Sequence, residues 1–348
     1  MPPAPRPHVL IVSLGSTEGL RVADRQLHDS LQRAGASVVL ATAKPPAPTR
    51  TLMLTDLAWA RAARVAAATA LARLGDGPPT AIVYSSTTAA LLWPRRGAIR
   101  FDAPSAGNRL GRHGLWQRPL ERRRLGEAPL WLPWSEGGLS EVPSANAGGR
   151  ALMLPVSVEP SGPAESARDI AAITYAANPS KKGLSRVLAA WRAIYDELPA
   201  GVPRELVVTG ASAAALMQAG VDLESAPGVR VAGALAPDDY RGLVRRARVF
   251  VCAPRREDYG IAQLEALVDG CVLVSTLAPG PYAALPIARA LDPRTVGEDL
   301  QSALRAALVD PARDYAQLAL QALEPFRRCS VDRIVAERLL PRLLADCD

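Results

Sequence analysis

The first pattern along the chain is a short apolar run, His8-Val9-Leu10-Ile11-Val12-Ser13, with the length and branched content of a buried strand. A loop from Leu14 to Gly19 follows. Val22, Leu27 and Leu31 then recur at helical spacing over Leu20 to Arg33, closed by Gly35. Val38 to Thr42 is the next apolar run. Strand, helix and strand in that order predict a βαβ unit and hence a parallel sheet. The alternation continues with a helix over Leu57 to Leu74, stopped by Gly75 and Gly77. Strands are expected at Ala81–Ser85, Ile99–Phe101, Leu130–Trp134 and Leu152–Val156. Ala103 to Trp116 is polar and Gly-rich and reads as loop, and Arg118 to Leu125 as helix.

Residues 159–169 are rich in Glu, Pro, Ser, Gly and Ala and read as a linker. Beyond them the alternation restarts. Strands are predicted at Ile170–Tyr175, Glu205–Thr209, Val229–Val231, Val249–Ala253 and Cys271–Ser275. Helices are predicted at Leu184–Leu198, Asp238–Arg246 and Gly260–Val268. Ser330 to Ala345 reads as an amphipathic helix. The predicted class is α/β with two doubly wound, Rossmann-like parallel-sheet domains, residues 1–158 and 165–329, and a C-terminal helix within 330–348 that packs back on the first.

Composition agrees with two cores. The chain has 348 residues, 49% hydrophobic and 22% charged, which argues against disorder. The run Val9 to Leu14 is too short for a signal segment or a membrane span. Cys252, Cys271, Cys329 and Cys347 have no metal-binding spacing, and scattered thiols suit a reducing cytoplasm. Charge changes the picture locally. The net charge is +7, and the window from Arg95 to Arg124 holds nine Arg against Asp102 and Glu121, so it carries as much as the whole chain. Such a patch suits an anionic acceptor or the anionic inner face of a membrane; its plainer reading is a solvated helix face with Glu121 pairing locally. Nucleic acid is disfavoured, because basic and aromatic residues do not alternate.

The densest candidate chemistry runs from Pro254 to Ser275. A strand ends in a charged turn, and a helix starts at Gly260, where open backbone N–H groups would favour an anion. Glu257 and Glu265 lie on either side as acceptors for vicinal hydroxyls. Anion-binding amides between two carboxylates suit a sugar diphosphate. By spacing alone, a solvated turn residue and a helix-surface charge are the better reading.

The surrounding residues alter that balance. Pro254, Glu257, Asp258, Tyr259, Gly260, Leu264, Glu265, Ala266, Leu267 and Gly270 resemble the E-x7-E motif of retaining GT-B glycosyltransferases of family four, the group one glycosyl transferases. Leu154 to Glu159 is similar to that family's domain crossover, and Val207 to Gly210 to its strand and Gly before the base-binding region. The resemblance implies two domains facing across a cleft and metal-independent transfer with retention from a nucleotide sugar, UDP- or GDP-linked, with no other cofactor. It places Glu257 at the donor sugar and Glu265 at the ribose. Gly210, Lys181, Asp258, Tyr259, Gly260, Ile261 and Ala262 fall on the donor side, and Lys182 matches the Lys that contacts the diphosphate. The family's Arg ahead of that Lys falls at Ala177, a departure that implies either compensation by Lys181 or Arg186 or a donor seated differently. A catalytically weak homologue that binds a sugar nucleotide or a partner protein is the alternative it raises.

In the first half, Gly15 and Ser16 would line the opposing wall, and His113 lies where the family often carries a His. His113 reads equally as an ordinary loop residue, and Asp102 equally as an acceptor ligand or a turn cap. Arg109 and Arg112 are candidate acceptor contacts. The acceptor would be a glycan, a lipid-linked sugar or a small molecule. An NAD-binding protein ranks low, because the first loop offers only Gly15 and Gly19 and no GxGxxG.

Overall fold

The protein is described here by a computed structural model covering residues 7–74, 80–143, 149–163 and 168–345. Gly75 and Gly77, part of the 159–169 linker, and Cys347 lie outside the described residues. The chain divides into two compact units, Met1–Ser157 with Phe326–Asp348, and Val158–Pro325.

Among the described residues each unit is built on a five-stranded parallel sheet. The first comprises β1 (His8–Ser13), β2 (Ser37–Thr42), β3 (Thr80–Tyr84), β4 (Ala98–Phe101) and β5 (Trp131–Pro133), in the order β2-β1-β3-β4-β5. The second comprises β6 (Ile170–Tyr175), β7 (Leu206–Thr209), β8 (Val229–Gly233), β9 (Ala247–Cys252) and β10 (Val272–Ser275), in the order β10-β9-β6-β7-β8. In both sheets the order reverses beside the first strand, and ligands of doubly wound sheets bind outside the carboxyl ends at such points.

Strand β1 shows why the sheet is covered on both faces. Side chains alternate along a strand. Leu10 and Val12 pack with Ala63, Ala67 and Ala70 of the helix Leu52–Leu74. Val9 and Ile11 face the other way, onto Leu27 and Leu31 of the helix Glu18–Arg33 and onto Val331, Val335, Leu339 and Leu343. The last segment of chain therefore belongs to the core of the first unit. It is continuous helix in three pieces, α over Arg328–Ile334, a π turn over Val335–Leu339, and α over Leu340–Ala345. Asp332 fastens it, accepting from Arg33 Nη2 and Nε, both at 2.8 Å.

Three expectations need correction. Leu152 to Val156 is not a strand. It runs beside β5, with Leu152 N donating to Trp131 O at 2.9 Å and Leu154 N to Pro133 O at 2.9 Å, but forms only one isolated bridge, Trp131 with Ala151. Ala103 to Trp116 is not all loop: Ser105–Asn108 is a helical turn and Gly111–Gly114 a 3-10 turn. The loop read over Asn178 to Gly183 contains a helical turn, Pro179–Lys182, capped by the Asn178 side chain, which accepts from Lys181 N at 2.9 Å.

Because Leu339 is fully buried at the seam of the terminal helix and the sheet, Leu339→Ala is expected to destabilise the first unit by about 2–4 kcal/mol through lost burial and a residual cavity. The midpoint of urea denaturation measures it, and an unchanged midpoint would mean the segment contributes nothing to that core.

Candidate active site

In the second unit three loops converge at the carboxyl ends of β6, β9 and β10, and glycines decide how closely. Gly183 has φ +67, and a Cβ there would stand 1.8 Å from the Ala253 carbonyl oxygen. Only glycine allows this contact. The backbone seals it: Arg255 N donates to Lys181 O at 3.0 Å. On the far side Glu257 N donates to Pro279 O at 3.0 Å, and at Gly280, φ +108, a Cβ would meet Glu257 O at 2.4 Å. The turn that carries Glu257 is thus gripped from both sides by backbone.

The grip brings together residues 75 apart in sequence. Lys182 Nζ donates to Glu257 Oε2 at 2.6 Å, with the Glu257 side chain 9% exposed and that of Lys182 21%. Gln263 Nε2 donates to the same oxygen at 3.0 Å. Immediately beyond, the helix Ile261–Val268 begins at Gly260, whose φ of +88 makes it the left-handed N-cap. No side chain caps this end, and the first intrahelical bond is Leu264 N to Gly260 O at 3.0 Å. The amides of Ile261, Ala262 and Gln263 therefore have no acceptor within the helix, an arrangement whose dipole favours an anion. Tyr259, just before it, is buried.

Asp258 accepts from Arg256 Nε at 2.7 Å and lies 3.9 Å from Lys181 Nζ. In the second turn of the helix, half-buried Glu265 lies 3.4 Å from Arg241 Nη1. Burial raises the Glu265 carboxyl above the ordinary Glu range, and Arg241 partly offsets this. Arg241 is itself held by buried Asp269 at 2.7 Å, which also accepts from Ser161 N at 2.8 Å and Ser161 Oγ at 2.9 Å. The plainer alternative, Glu265 as a solvated helix-surface charge, does not fit this half-buried, Arg-paired carboxyl. Sequence reasoning missed Arg241, Gln263 and Asp269, which carry no motif signal: Arg241 and Asp269 pair across 28 residues, and Gln263 reaches Glu257 only through the turn at Gly260.

Gly210, φ +93, abuts the position of the missing Arg: a Cβ on it would lie 2.8 Å from Ala177 N. Neither proposed substitute stands free. Arg186 Nη2 pairs with Glu298 at 3.1 Å, and Lys181 leans toward Asp258.

In the first unit, Gly15 (φ +59) makes the turn after β1, and its carbonyl accepts from Arg21 Nη1 at 2.8 Å. Ser16 is exposed. Asp102 is half-buried, and its Oδ1 accepts from the next amide, Ala103 N, at 2.7 Å. His113 and Arg112 are exposed on the 3-10 turn. Arg109 instead makes a bidentate pair with buried Asp56, 2.7 and 3.1 Å, which pins this segment to the helix Leu52–Leu74.

The Arg patch is smaller than the sequence suggests. Arg100 is buried, donates to Ala23 O at 3.0 Å, lies 3.8 Å from Asp24 and stacks 4.9 Å over Trp134. Arg118 and Arg124 donate to the carbonyls of Gly111 and Leu91. Glu121 does not pair locally: it is buried and accepts from Ser105 N and Oγ, both at 2.8 Å, and burial raises its carboxyl above the ordinary range. The sequence's one Asp-x-Asp, Asp346-Cys347-Asp348, lies outside the described residues.

Residues 168–310 match the family described as Glycosyl transferases group 1. Similar solved structures include WaaG, "a glycosyltransferase involved in lipopolysaccharide biosynthesis" (15% identity over 94% of this chain and 98% of that one, TM-score 0.69). Another is the sucrose-phosphate synthase of Thermosynechococcus elongatus (16% identity, 98% and 100% covered, TM-score 0.69). A third is Anabaena Alr3699/HepE in complex with UDP and glucose (12% identity, 96% and 100% covered, TM-score 0.64). No curated protein sequence matches the chain. The fold is GT-B, as the resemblance implied.

Gly183→Ala is expected to cost about 3 kcal/mol or more, since backbone must move as well as adopt a strained φ. Gly220→Ala is the control, with φ +76 but nothing within 4 Å of the added Cβ. Equal losses of unfolding midpoint in the two variants would mean that the contact with Ala253 is immaterial.

Proposed function

Taking residues 168–310 as a group 1 glycosyltransferase domain, we propose that this chain transfers a sugar from a UDP- or GDP-linked donor to an acceptor hydroxyl, with retention and without a metal ion. The observation that carries the reading is the Lys182–Glu257 pair set beside the uncapped amides of Ile261 to Gln263, with Glu265 in the next turn of the same helix. The amides receive the diphosphate. Glu265 faces the ribose, and Glu257 the sugar hydroxyls.

An ammonium group has three N–H donors. One on Lys182 is directed at Glu257, which fixes the side chain and leaves two for phosphate oxygens. The charge that develops on the departing nucleoside diphosphate then meets a cation already in position, with little reorganisation during the reaction. The acceptor hydroxyl attacks from the face the nucleotide leaves.

The first unit binds the acceptor. Exposed Leu110 and Leu115 flank exposed Arg112, with exposed Arg122 and Arg123 on the next helix. Apolar and cationic groups presented together suit a lipid-linked or anionic acceptor held at the inner face of a membrane. No described helix is long and apolar enough to cross one.

A melting-temperature panel of UDP-, GDP- and ADP-sugars tests the donor site. At a hundred times Kd, a ligand of the folded state adds about 2.7 kcal/mol of stability. A shift with one base, lost in Glu265→Ala, is expected. In turnover, Lys182→Ala is expected to lower kcat about 10²–10³-fold. No shift with any nucleotide sugar would point instead to a partner-binding homologue without donor chemistry, with Ala177 as its marker.

A further inference from the structure

Gln263 is an unusual residue for its place. It lies on the helix Ile261–Val268 and is 2% exposed, among Leu264, Ala266 and Leu267, which are fully buried. Burying a carboxamide is unfavourable unless both ends are hydrogen-bonded. Here only one end is satisfied. Nε2 donates to Glu257 Oε2 at 3.0 Å and lies 3.8 Å from Cys252 Sγ, whereas Oε1 has no hydrogen-bond partner among the described residues. The orientation is fixed by chemistry, since turning the amide would set Oε1 against a carboxylate oxygen. An apolar side chain would remove the orphaned oxygen, so packing alone does not account for a glutamine here.

What the glutamine does is visible at Glu257. Lys182 Nζ and Gln263 Nε2 reach Oε2 from different elements, one from the turn after β6 and one from the helix after β9. Two donors on one oxygen fix the rotation of the carboxylate plane, which a single flexible lysine does not. Oε1 is left without a protein partner among the described residues. The wall behind Gln263 is rigid: Cys252 Sγ is 3.3 Å from Tyr282 OH and 3.5 Å from Ser275 Oγ, and Tyr282 OH donates to Ser275 Oγ at 3.2 Å. Above it, Gln263 Oε1 lies beside Gly260, 3.3 Å from where a Cβ on that residue would stand, so a larger residue at 260 would crowd the carboxamide.

We infer that Gln263 is a positioning residue for the donor sugar: it holds Glu257 so that Oε1 accepts a sugar hydroxyl, and it acts on the sugar half of the donor and not on the nucleotide half. The inference rests on the donor-site reading above. Its consequence is a separable one. Glu265 and the helix amides bind nucleoside diphosphate without Gln263, and the additional affinity that the sugar contributes depends on it.

The experiment is calorimetry on the full chain, comparing UDP with UDP-glucose, or GDP with GDP-mannose where the melting panel selects guanine. Gln263→Leu is expected to weaken nucleotide-sugar binding about tenfold, the scale of one hydrogen bond to a charged group, with nucleoside diphosphate binding unchanged. Gln263→Glu gives a readout that a structural role would not move. Its protonated carboxyl donates to Glu257 as the amide does, and its ionised form repels it. Two carboxyls sharing one site push one titration above the ordinary range. The variant's nucleotide-sugar affinity, relative to wild type at each pH, is therefore expected to be near normal at about pH 5 and to fall as pH rises toward about 8. Wild-type affinities in Gln263→Leu for both ligands, alongside a sugar-specific loss in Glu257→Gln, would overturn the inference and leave the donor reading standing. So would a Gln263→Glu variant with no pH dependence of its own. Wild-type nucleotide-sugar binding in Glu257→Gln would overturn the donor reading, and the inference with it.

Discussion

The contact between Gly183 and the Ala253 carbonyl is the constraint on which the second unit's site depends. It sets the distance between the turn after β6 and the turn after β9. At that distance Lys181 O can accept from Arg255 N, and Lys182 Nζ can reach Glu257. Any side chain at 183 would separate the two turns and dissolve the pair. The same logic recurs at Gly280, against the Glu257 carbonyl, and at Gly260, against the Tyr282 ring. The site is held by backbone approach, and charged side chains are hung on that frame.

Charge within this frame is neutralised locally before any ligand arrives. Lys182 faces Glu257, Arg256 faces Asp258, and Arg241 faces both Glu265 and Asp269. Pairing makes half-buried charges tolerable and fixes their geometry, although each pair adds little net stability by itself. It also means that an anion placed at the helix start would meet donors that are already oriented. The first unit uses charge differently. Arg100 with Asp24, and Arg109 with Asp56, are internal fasteners, and the exposed cations lie outside them on the 3-10 turn and the helix Gln117–Glu127.

The terminal helix shows how chain order and unit order part company. Residues Phe326–Asp348 follow the second unit in sequence and belong to the first in space. The reason is the exposed apolar face that β1 and the helix Glu18–Arg33 would otherwise present. Val331, Val335 and Leu339 cover it, and Ser30 and Arg33 on the Glu18–Arg33 helix hold Asp332.

Sequence alone determined the alternation of strands and helices, since period and turn residues are local properties. It marked Glu257, Gly260 and Glu265 as one feature, because they lie on one continuous stretch, and it set Lys182 beside them through resemblance alone. What it could not decide was burial and pairing. The nine Arg between 95 and 124 count alike in a sum of charge, yet Arg100 is enclosed and Arg112 exposed. Glu121 was an obvious local partner for that patch and is instead buried against Ser105. Gln263 carried no signal, because its meaning depends on an oxygen six residues away in sequence that only the turn at Gly260 brings within reach. Tertiary structure decided these matters, because desolvation and hydrogen-bond satisfaction depend on which surfaces meet, and residue spacing along the chain does not fix that.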